Sequence, residues 1–185
     1  DYPLDHDIAD YRPDGSIAQA AAATGNYYAY TECKNKNDSM DVNWLTANGI
    51  LNGTTLSDGI YYSECNIDIS GVSGVHGNIT LVAEGSIQFS NSSTHVTAYT
   101  DDLLAFSVAG NNQCSAKVIK FSGSENEWVG NMFAPYGQIE MSASSNTTTR
   151  GCLVGHSINL SGSAQSIECD PKGETKTVPA IWMAE

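Results

Sequence analysis

The stretch Gly155–Ser163, GHSINLSGS, decides the fold of this chain because closely related phrases occur four times before it. Those phrases are CNIDISGVS at 65–73, GSIQFSNSS at 85–93, AKVIKFSGS at 116–124 and GQIEMSASS at 137–145. The same positions change from copy to copy. A phrase that returns in this way is typical of one structural unit repeated along a chain.

Each phrase contains a triplet with a polar residue between two large apolar ones. Alternation with a period of two predicts a strand that buries one face and exposes the other. A serine follows every triplet, and after it comes a small or turn-forming residue at which the chain can change direction. The triplets are Ile67-Asp68-Ile69, Ile87-Gln88-Phe89, Ile119-Lys120-Phe121, Ile139-Glu140-Met141 and Ile158-Asn159-Leu160.

The spacing of the triplets predicts how the strands are arranged. Successive triplets lie 20, 32, 20 and 19 residues apart, and a second apolar stretch precedes most of them. About twenty residues with two or three short strands form one coil of a parallel β-helix. We therefore expect an all-β fold, a right-handed parallel β-helix (solenoid) of about five coils. An antiparallel sandwich also uses short strands, but it gives no reason for the phrase to return.

The repeats divide the chain into three segments. Residues 1–58 do not repeat, and we expect an N-terminal arm and cap there, ahead of solenoid repeats at 59–171. Within the arm, PDGSIAQAAAATGN predicts a short helix with a capping box between Ser16 and Gln19, and NYYAYTEC predicts a strand. We expect residues 172–185 to form a C-terminal tail with an apolar strand at TVPAIWMAE.

Composition and charge exclude several classes of function. The net charge is −13, from 21 acidic and 8 basic residues, and it repels nucleic acid and anionic membrane surfaces. No apolar run approaches the ~20 residues of a membrane span.

A composition poor in Lys and rich in Gly, Ser, Thr, Asn and Tyr indicates an extracellular, cell-surface protein. Six Asn-x-Ser/Thr sequons are glycosylation candidates: Asn37, Asn52, Asn78, Asn91, Asn146 and Asn159.

The five cysteines lack the spacing of a zinc site and fit extracellular disulfides instead. The leading pair is Cys33 with Cys65, and the second is Cys152 with Cys169. Each bond would tie a flanking segment onto a coil. The sequence leaves the connectivity open, and one cysteine must remain free or bond to a neighbouring molecule.

Four segments carry a resemblance to a known family: LSDGIYYSECNIDISG, ITLVAEGSIQFS, NMFAPYGQIEMSAS and GCLVGHSINLSGS. They resemble the β-helical region of secreted surface proteins related to Tad-type pilus-assembly and PilX-like proteins, with repeats also similar to those of bactofilins. The segment YRPDGSIAQAAAATGNYY resembles the region before those repeats. The resemblance implies a structural role at the cell surface, and it implies no catalytic residues.

The sequence predicts no catalytic site. Parallel β-helices can carry sugar-cleaving carboxylates on a strand face, where the middle residues of the triplets lie. Asp68 and Glu140 are three coils apart, or about 14 Å at the strand spacing, whereas a glycosidase pair needs ~5 to 9.5 Å. We expect Glu140 to form a surface ion pair with Lys120, and we expect this protein not to be an enzyme.

Calcium is the one cofactor that the residues suggest. The segment NKNDSMDVN offers oxygen ligands of the kind that calcium takes, from Asn37, Asp38, Asp41 and Asn43. It lacks the glycine and terminal glutamate of a known calcium loop. A solvated turn is the alternative.

We expect an extracellular structural protein, a subunit that joins head to tail with copies of itself in a surface filament or pilus-associated assembly. Each end of a solenoid is a strand edge that invites another chain. The tail can cover its own last coil or pair with a neighbour through assembly residues Val178, Ile181, Trp182 and Met183. The alternative is a monomeric adhesin or glycan-binding module, which would cover its ends and expose an aromatic lateral patch.

Overall fold

The computed structural model describes residues 6–110, 114–163 and 165–169. These residues form a sheet of sixteen strands and three short helices, so the all-β class is confirmed. The helices are α1 (Ile8–Tyr11), α2 (Ser16–Ala22) and α3 (Val42–Ala47). The strands are β1 (Tyr27–Tyr30), β2 (Ser39–Asp41), β3 (Leu51–Asn52), β4 (Thr55–Leu56), β5 (Gly59–Ser63), β6 (Asn66–Ser70), β7 (His76–Ala83), β8 (Ile87–Ser90), β9 (His95–Thr97), β10 (Leu103–Ser107), β11 (Lys117–Gly123), β12 (Glu127–Val129), β13 (Asn131–Ala143), β14 (Thr147–Arg150), β15 (Leu153–Gly162) and β16 (Gln165–Glu168).

All strands except β3, which pairs antiparallel with β4, pair in parallel along three rows. Row one contains β1, β5, the second part of β7, β10, and the first parts of β13 and β15. Row two contains β2, β6, β8, β11, and the second parts of β13 and β15. Row three contains β4, the first part of β7, β9, β12, β14 and β16. The rows begin with β1, β2 and β4, so the pairing extends into the predicted capping segment.

The pairing of row two confirms the predicted alignment of the five triplets. Ile67 pairs with Ile87, Ile87 with Ile119, Ile119 with Ile139, and Ile139 with Ile158. Met40 of β2 adds a sixth member, which lies opposite Ile67. The 32-residue step between the second and third triplets therefore contains an insertion and leaves the strand register unchanged.

The apolar side chains of the triplets form the core between the rows. The first four isoleucines of the ladder are at most 1% exposed. Phe89 and Phe121 follow in the same register with ring centroids 5.5 Å apart, and Trp128 of row three packs edge-on against Phe121 at 5.2 Å. Each such side chain contributes ~1.5 to 3 kcal/mol by leaving water, so the ladder stabilises the stack of strands.

Two residues that follow a triplet serine, Gly123 and Asn91, shape the corner in different ways. Gly123 has φ +128°, and a Cβ there would lie 1.6 Å from the carbonyl oxygen of Asn91, so only glycine fits. Asn91, by contrast, uses its side chain. Its Nδ2 donates to the Ile69 carbonyl and its Oδ1 accepts from the Val72 amide, at 2.8 and 3.0 Å.

The N-terminal segment forms the predicted strand and a shorter helix than expected. The strand is β1, and α2 occupies only the middle of the predicted helix. The capping box was wrong, because Gly15 is the N-cap residue and makes no side-chain cap bond. The Ser16 hydroxyl donates instead to Asp10 Oδ1 at 3.1 Å, and Gln19 Nε2 donates to the Asp14 carbonyl at 3.2 Å.

Candidate functional site

The first candidate region is the N-terminal end of the stack of strands, and α3 closes it. Asp41 begins this helix, because its Oδ1 accepts a hydrogen bond from the Trp44 amide at 2.8 Å. Leu45 of α3 and Met40 of β2 are fully buried. Trp44 packs edge-on against Tyr30 with ring centroids 5.6 Å apart. This end therefore presents little of its core to solvent.

The opposite end of the stack, at β15 and β16, differs because core residues are exposed there. Within the described residues, β15 and β16 each pair with a neighbour on one side only. Ile158 is 43% exposed and Leu160 is 45% exposed, although their register partners Ile139 and Met141 are fully buried. We call Ile158, Leu160 and the outer edges of β15 and β16 the last-strand surface. It combines exposed core residues with strand backbone that has no partner in the part of the chain that the structure describes.

The predicted assembly residues Val178, Ile181, Trp182 and Met183 lie outside the described residues. The structure adds a surface against which such residues could pack, and Ile158 and Leu160 form it.

Both disulfide pairs that the sequence predicts are present. Cys33 is bonded to Cys65 with Cα atoms 6.0 Å apart, and Cys152 is bonded to Cys169 with Cα atoms 4.5 Å apart. The first bond holds the segment after β1 against the corner between β5 and β6. The second connects the start of β15 to the end of β16. Cys114 is free and exposed.

The calcium candidates make local hydrogen bonds in the structure. The Asp38 carboxylate accepts from the Lys34 and Asn35 amides at 2.6 and 3.0 Å. These backbone bonds, the Lys34 bond above all, lower the pKa of Asp38. Asp41 is the cap of α3, and Asn43 Nδ2 lies 3.5 Å from its Oδ2. The described residues include no group of three or more His, Cys, Asp or Glu side chains that could hold a metal ion. A calcium site that also uses Asn37 remains a prediction.

Five of the six glycosylation candidates have exposed side chains: Asn37, Asn52, Asn78, Asn146 and Asn159. Asn91 differs from the other five because its side chain is buried. It is 5% exposed, and its amide nitrogen, the atom that carries an N-linked glycan, donates to the Ile69 carbonyl.

The acidic residue of the fourth triplet has a different partner from the predicted one. Glu140 is only 7% exposed, and its Oε2 lies 2.5 Å from Lys117 Nζ rather than pairing with Lys120. Lys117 precedes Lys120 by three residues and lies opposite Gln138, at the start of β11. The predicted separation from Asp68 holds, because the register places Gln88 and Lys120 between the two carboxylates.

A shallow polar groove on row three is a feature that sequence reasoning missed. It has a volume of about 390 Å³ and crosses β9, β12 and β14. Glu127 lies in it between Arg150, with which it forms an ion pair, and His95, whose Nδ1 is 3.6 Å from Glu127 Oε2. Glu125 and Asn146 lie at neighbouring corners of the same groove, both with positive φ. Carboxylate, amide and guanidinium groups of this kind can hydrogen-bond to a polar ligand.

The recurring segments HVT, EWV and TTTR were the available indication of this third row. Each is too short to show a clear period of two, and the three share few residues.

The described residues thus define an all-β protein whose parallel strands stack in three rows. The chain belongs to the family described as Domain of unknown function (DUF7305), whose model matches residues 4–175. No curated protein and no solved structure matches the chain. The family match carries no function, so the resemblance to Tad-type and PilX-like surface proteins remains a prediction. No helix in the described ranges is long and apolar enough to cross a membrane.

Proposed function

We propose that this chain is an extracellular structural protein whose copies join head to tail in a surface filament or pilus-associated assembly. The proposal includes a right-handed β-solenoid with three strands per coil. The parallel register of the three rows supports a solenoid, and the strong preference of parallel crossover connections for the right hand supports the handedness. It assigns no catalytic activity to the chain.

The observation that carries the proposal is the difference between the two ends of the stack. Met40 and Leu45 are fully buried at the N-terminal end, whereas Ile158 and Leu160 are nearly half exposed at the other. Exposed core residues next to an unpaired strand edge favour the addition of another chain. A head-to-tail contact between unlike ends propagates into a filament when the rotation from copy to copy does not close into a ring.

The two disulfides support the extracellular part of the proposal, because such bonds persist in oxidising compartments. The resemblance of the repeat phrases to pilus-associated surface proteins supports the assembly. The charge of −13 makes copies repel one another at low salt, so association should strengthen when salt shortens the Debye length to ~8 Å.

The test compares three lysine substitutions on one strand. Ile158→Lys and Leu160→Lys place a charge in the last-strand surface. Asn159→Lys is the matched control, since this exposed residue alternates with them and points to the other face. Light scattering and negative-stain microscopy should show filaments for the native chain and the control, and monomers for the other two variants. A native chain that stays monomeric at every concentration tested contradicts the proposal.

The second candidate function, a monomeric adhesin or glycan-binding module, rests on the polar groove of row three. Its exposed carboxylate, amide and guanidinium groups match the hydrogen-bonding needs of sugar hydroxyls. The predicted aromatic patch does not support it, because Tyr136 is the one exposed large aromatic residue in the described ranges. Glycan-array binding that is lost in Glu125→Gln and kept in Ile158→Lys would favour this candidate.

A further inference from the structure

Two histidines lie directly opposite each other on the outer face of row three. His76 begins β7, His95 begins β9, and the parallel register pairs them. The His95 amide donates to the Val75 carbonyl at 2.8 Å, which holds the two strands in this register. Both histidines are exposed, whereas the neighbouring Val75 and Val96 are buried and face the core. The two imidazole side chains therefore leave the same side of the sheet at adjacent positions.

The ring of His76 is oriented by the corner that precedes it. Its Nδ1 donates to the Gly74 carbonyl oxygen at 3.1 Å, since a carbonyl oxygen can only accept. The lone pair of the neutral ring is therefore on Nε2, and the Thr55 hydroxyl donates to it at 2.9 Å. A metal ion can replace this single hydroxyl partner, because the side chain is exposed and can rotate.

The ring of His95 is oriented by a carboxylate. Its Nδ1 faces Glu127 Oε2 at 3.6 Å, and Glu127 lies opposite it in the next strand of row three. A carboxylate beside one ring nitrogen favours the proton on that nitrogen and leaves the lone pair on the other. Histidines that bind metals commonly have the second nitrogen held in this way, by a carboxylate or by a backbone carbonyl. His95 and His76 show these two arrangements.

We propose that His76 and His95 together bind one divalent transition-metal ion, Zn²⁺, Ni²⁺ or Cu²⁺, through their Nε2 atoms. Imidazole suits these ions, whereas Ca²⁺ and Mg²⁺ take oxygen ligands. Neighbouring strands lie ~4.8 Å apart. Two nitrogens that each lie ~2.0–2.1 Å from one ion are about 3 Å from each other. Rotation of the exposed His76 side chain from Thr55 toward β9 closes the difference.

The site has two protein ligands. The described residues include no group of three or more His, Cys, Asp or Glu side chains that could hold a metal ion, so water molecules fill the remaining positions of the ion. A site of this kind is open to solvent on the side of the stack. The predicted calcium ligands lie at the N-terminal end and offer oxygen, so the two sites differ in place and in the ion they prefer.

The ion would connect two consecutive coils. His76 and His95 are 19 residues apart in sequence, and only the folded chain places them side by side. An ion that binds the folded chain in preference to the unfolded one raises the stability of the fold by mass action. The inference does not depend on head-to-tail assembly, because both histidines lie on a lateral face, away from the last-strand surface.

Thermal unfolding with and without NiCl₂ tests the site. The Cys114→Ser chain is used throughout, because the exposed free thiol is a competing ligand. At a free-ion concentration about ten times Kd, Tm should rise by about 3–6 °C. His76→Asn and His95→Asn should each abolish this rise. His156→Asn is the matched control, an exposed histidine in β15, and should keep it. A rise that survives in either of the first two variants, or no rise in the parent chain, overturns the proposal.

Electron paramagnetic resonance of the chain loaded with Cu²⁺ identifies the ligands directly, so it does not depend on how stable a variant is. The parent chain should show hyperfine coupling to two imidazole nitrogens. His76→Asn and His95→Asn should each show coupling to one at most, and His156→Asn should match the parent. Coupling that is unchanged in His76→Asn or in His95→Asn would place the ion elsewhere on the chain and overturn the proposal.

Discussion

Ile139 and Ile158 lie opposite each other in the register of β13 and β15, yet Ile139 is fully buried and Ile158 is 43% exposed. The two residues occupy the same position of the repeated phrase. The equal burial that their pattern indicates is therefore wrong for Ile158. Ile139 lies between Ile119 and Ile158, whereas Ile158 has a neighbour on one side only within the described residues.

This asymmetry predicts unequal costs for the same truncation. Ile139→Ala should lower the free energy of unfolding by about 2–5 kcal/mol, because it leaves a cavity in a closed core. Ile158→Ala should cost about 1 kcal/mol, since much of its side chain is already in water. Urea unfolding at constant m-value measures both. Equal losses would show that another segment or another copy covers Ile158 in solution.

The sequence predicts much of row two because each triplet carries its own pattern. An apolar residue on both sides of a polar one defines a strand and a buried face without reference to the rest of the chain. The spacing of the five triplets then predicts which residues pair, including across the insertion before Ile119.

Features that depend on neighbours in space could not be predicted in the same way. Ile158 has the residue pattern of a core position, and its exposure is decided by what lies beyond β15. Glu140 has the sequence pattern of a solvent-exposed position, but it is buried because Lys117 and Asn159 lie against it in adjacent strands. The second set of stacked residues in row one, which includes Phe106 and Phe133, was missed because both residues belong to runs that are apolar on both faces of a strand.

The ion pair between Lys117 and Glu140 gives the second prediction. Lys117→Met keeps most of the apolar stem but leaves a mostly buried carboxylate without its cation, which should cost about 1 kcal/mol after allowance for the exposure of the lysine. Lys120→Met is the control, because no ion pair of Lys120 is present in the described residues. It should change the free energy of unfolding by less than about 0.5 kcal/mol. Equal effects in thermal or urea unfolding would contradict the pairing.

His6 predicts a pH dependence of stability. Burial lowers the pKa of its ring below the ordinary 6.5 and outweighs the opposing charge of Asp101. The folded chain therefore binds fewer protons at His6 than the unfolded chain does, and stability rises with pH through this range. The contribution is complete above pH 6.5 and is lost as the pH falls below that value.

The His6 prediction is tested with two substitutions. His6→Gln should flatten the dependence of Tm on pH between about 5 and 7, because the titrating group with the shifted pKa is gone. His156→Gln, at an exposed residue, should leave the slope as in the native chain. Unchanged slopes in both variants would mean that another group controls the acid side of the profile.

The two disulfides predict large and separable losses on removal. Their cysteines are 32 and 17 residues apart, for which chain-entropy arguments give about 3 to 4 kcal/mol each. Cys33→Ser with Cys65→Ser should loosen the segment after β1. Cys152→Ser with Cys169→Ser should loosen β16 and raise its amide hydrogen exchange. Non-reducing peptide mapping of the native chain should recover one free thiol, at Cys114, and recovery of more would contradict these pairings.

The final prediction concerns the corner at Asn91, whose amide replaces the turning backbone of a glycine. Its Nδ2 and Oδ1 satisfy the Ile69 carbonyl and the Val72 amide. Asn91→Ala leaves both backbone groups without these partners at a buried corner, so it should cost about 2–4 kcal/mol. Asn52→Ala removes an exposed sequon amide and should cost less than about 1 kcal/mol.

Glycan mapping tests the same residue independently. When the protein is produced with N-linked glycans, the sequons at Asn78 and Asn146 are accessible because their side chains are exposed. Asn91 should be unmodified, because its side-chain nitrogen is buried and hydrogen-bonded in the fold. The stability measurement and the glycan mapping can each contradict the prediction. A silent Asn91→Ala would mean that the corner turns without the amide, and a glycan on Asn91 in folded protein would mean that its side chain points to solvent. Either result would show that the Asn91 side chain does not bond to Ile69 and Val72 in the folded protein.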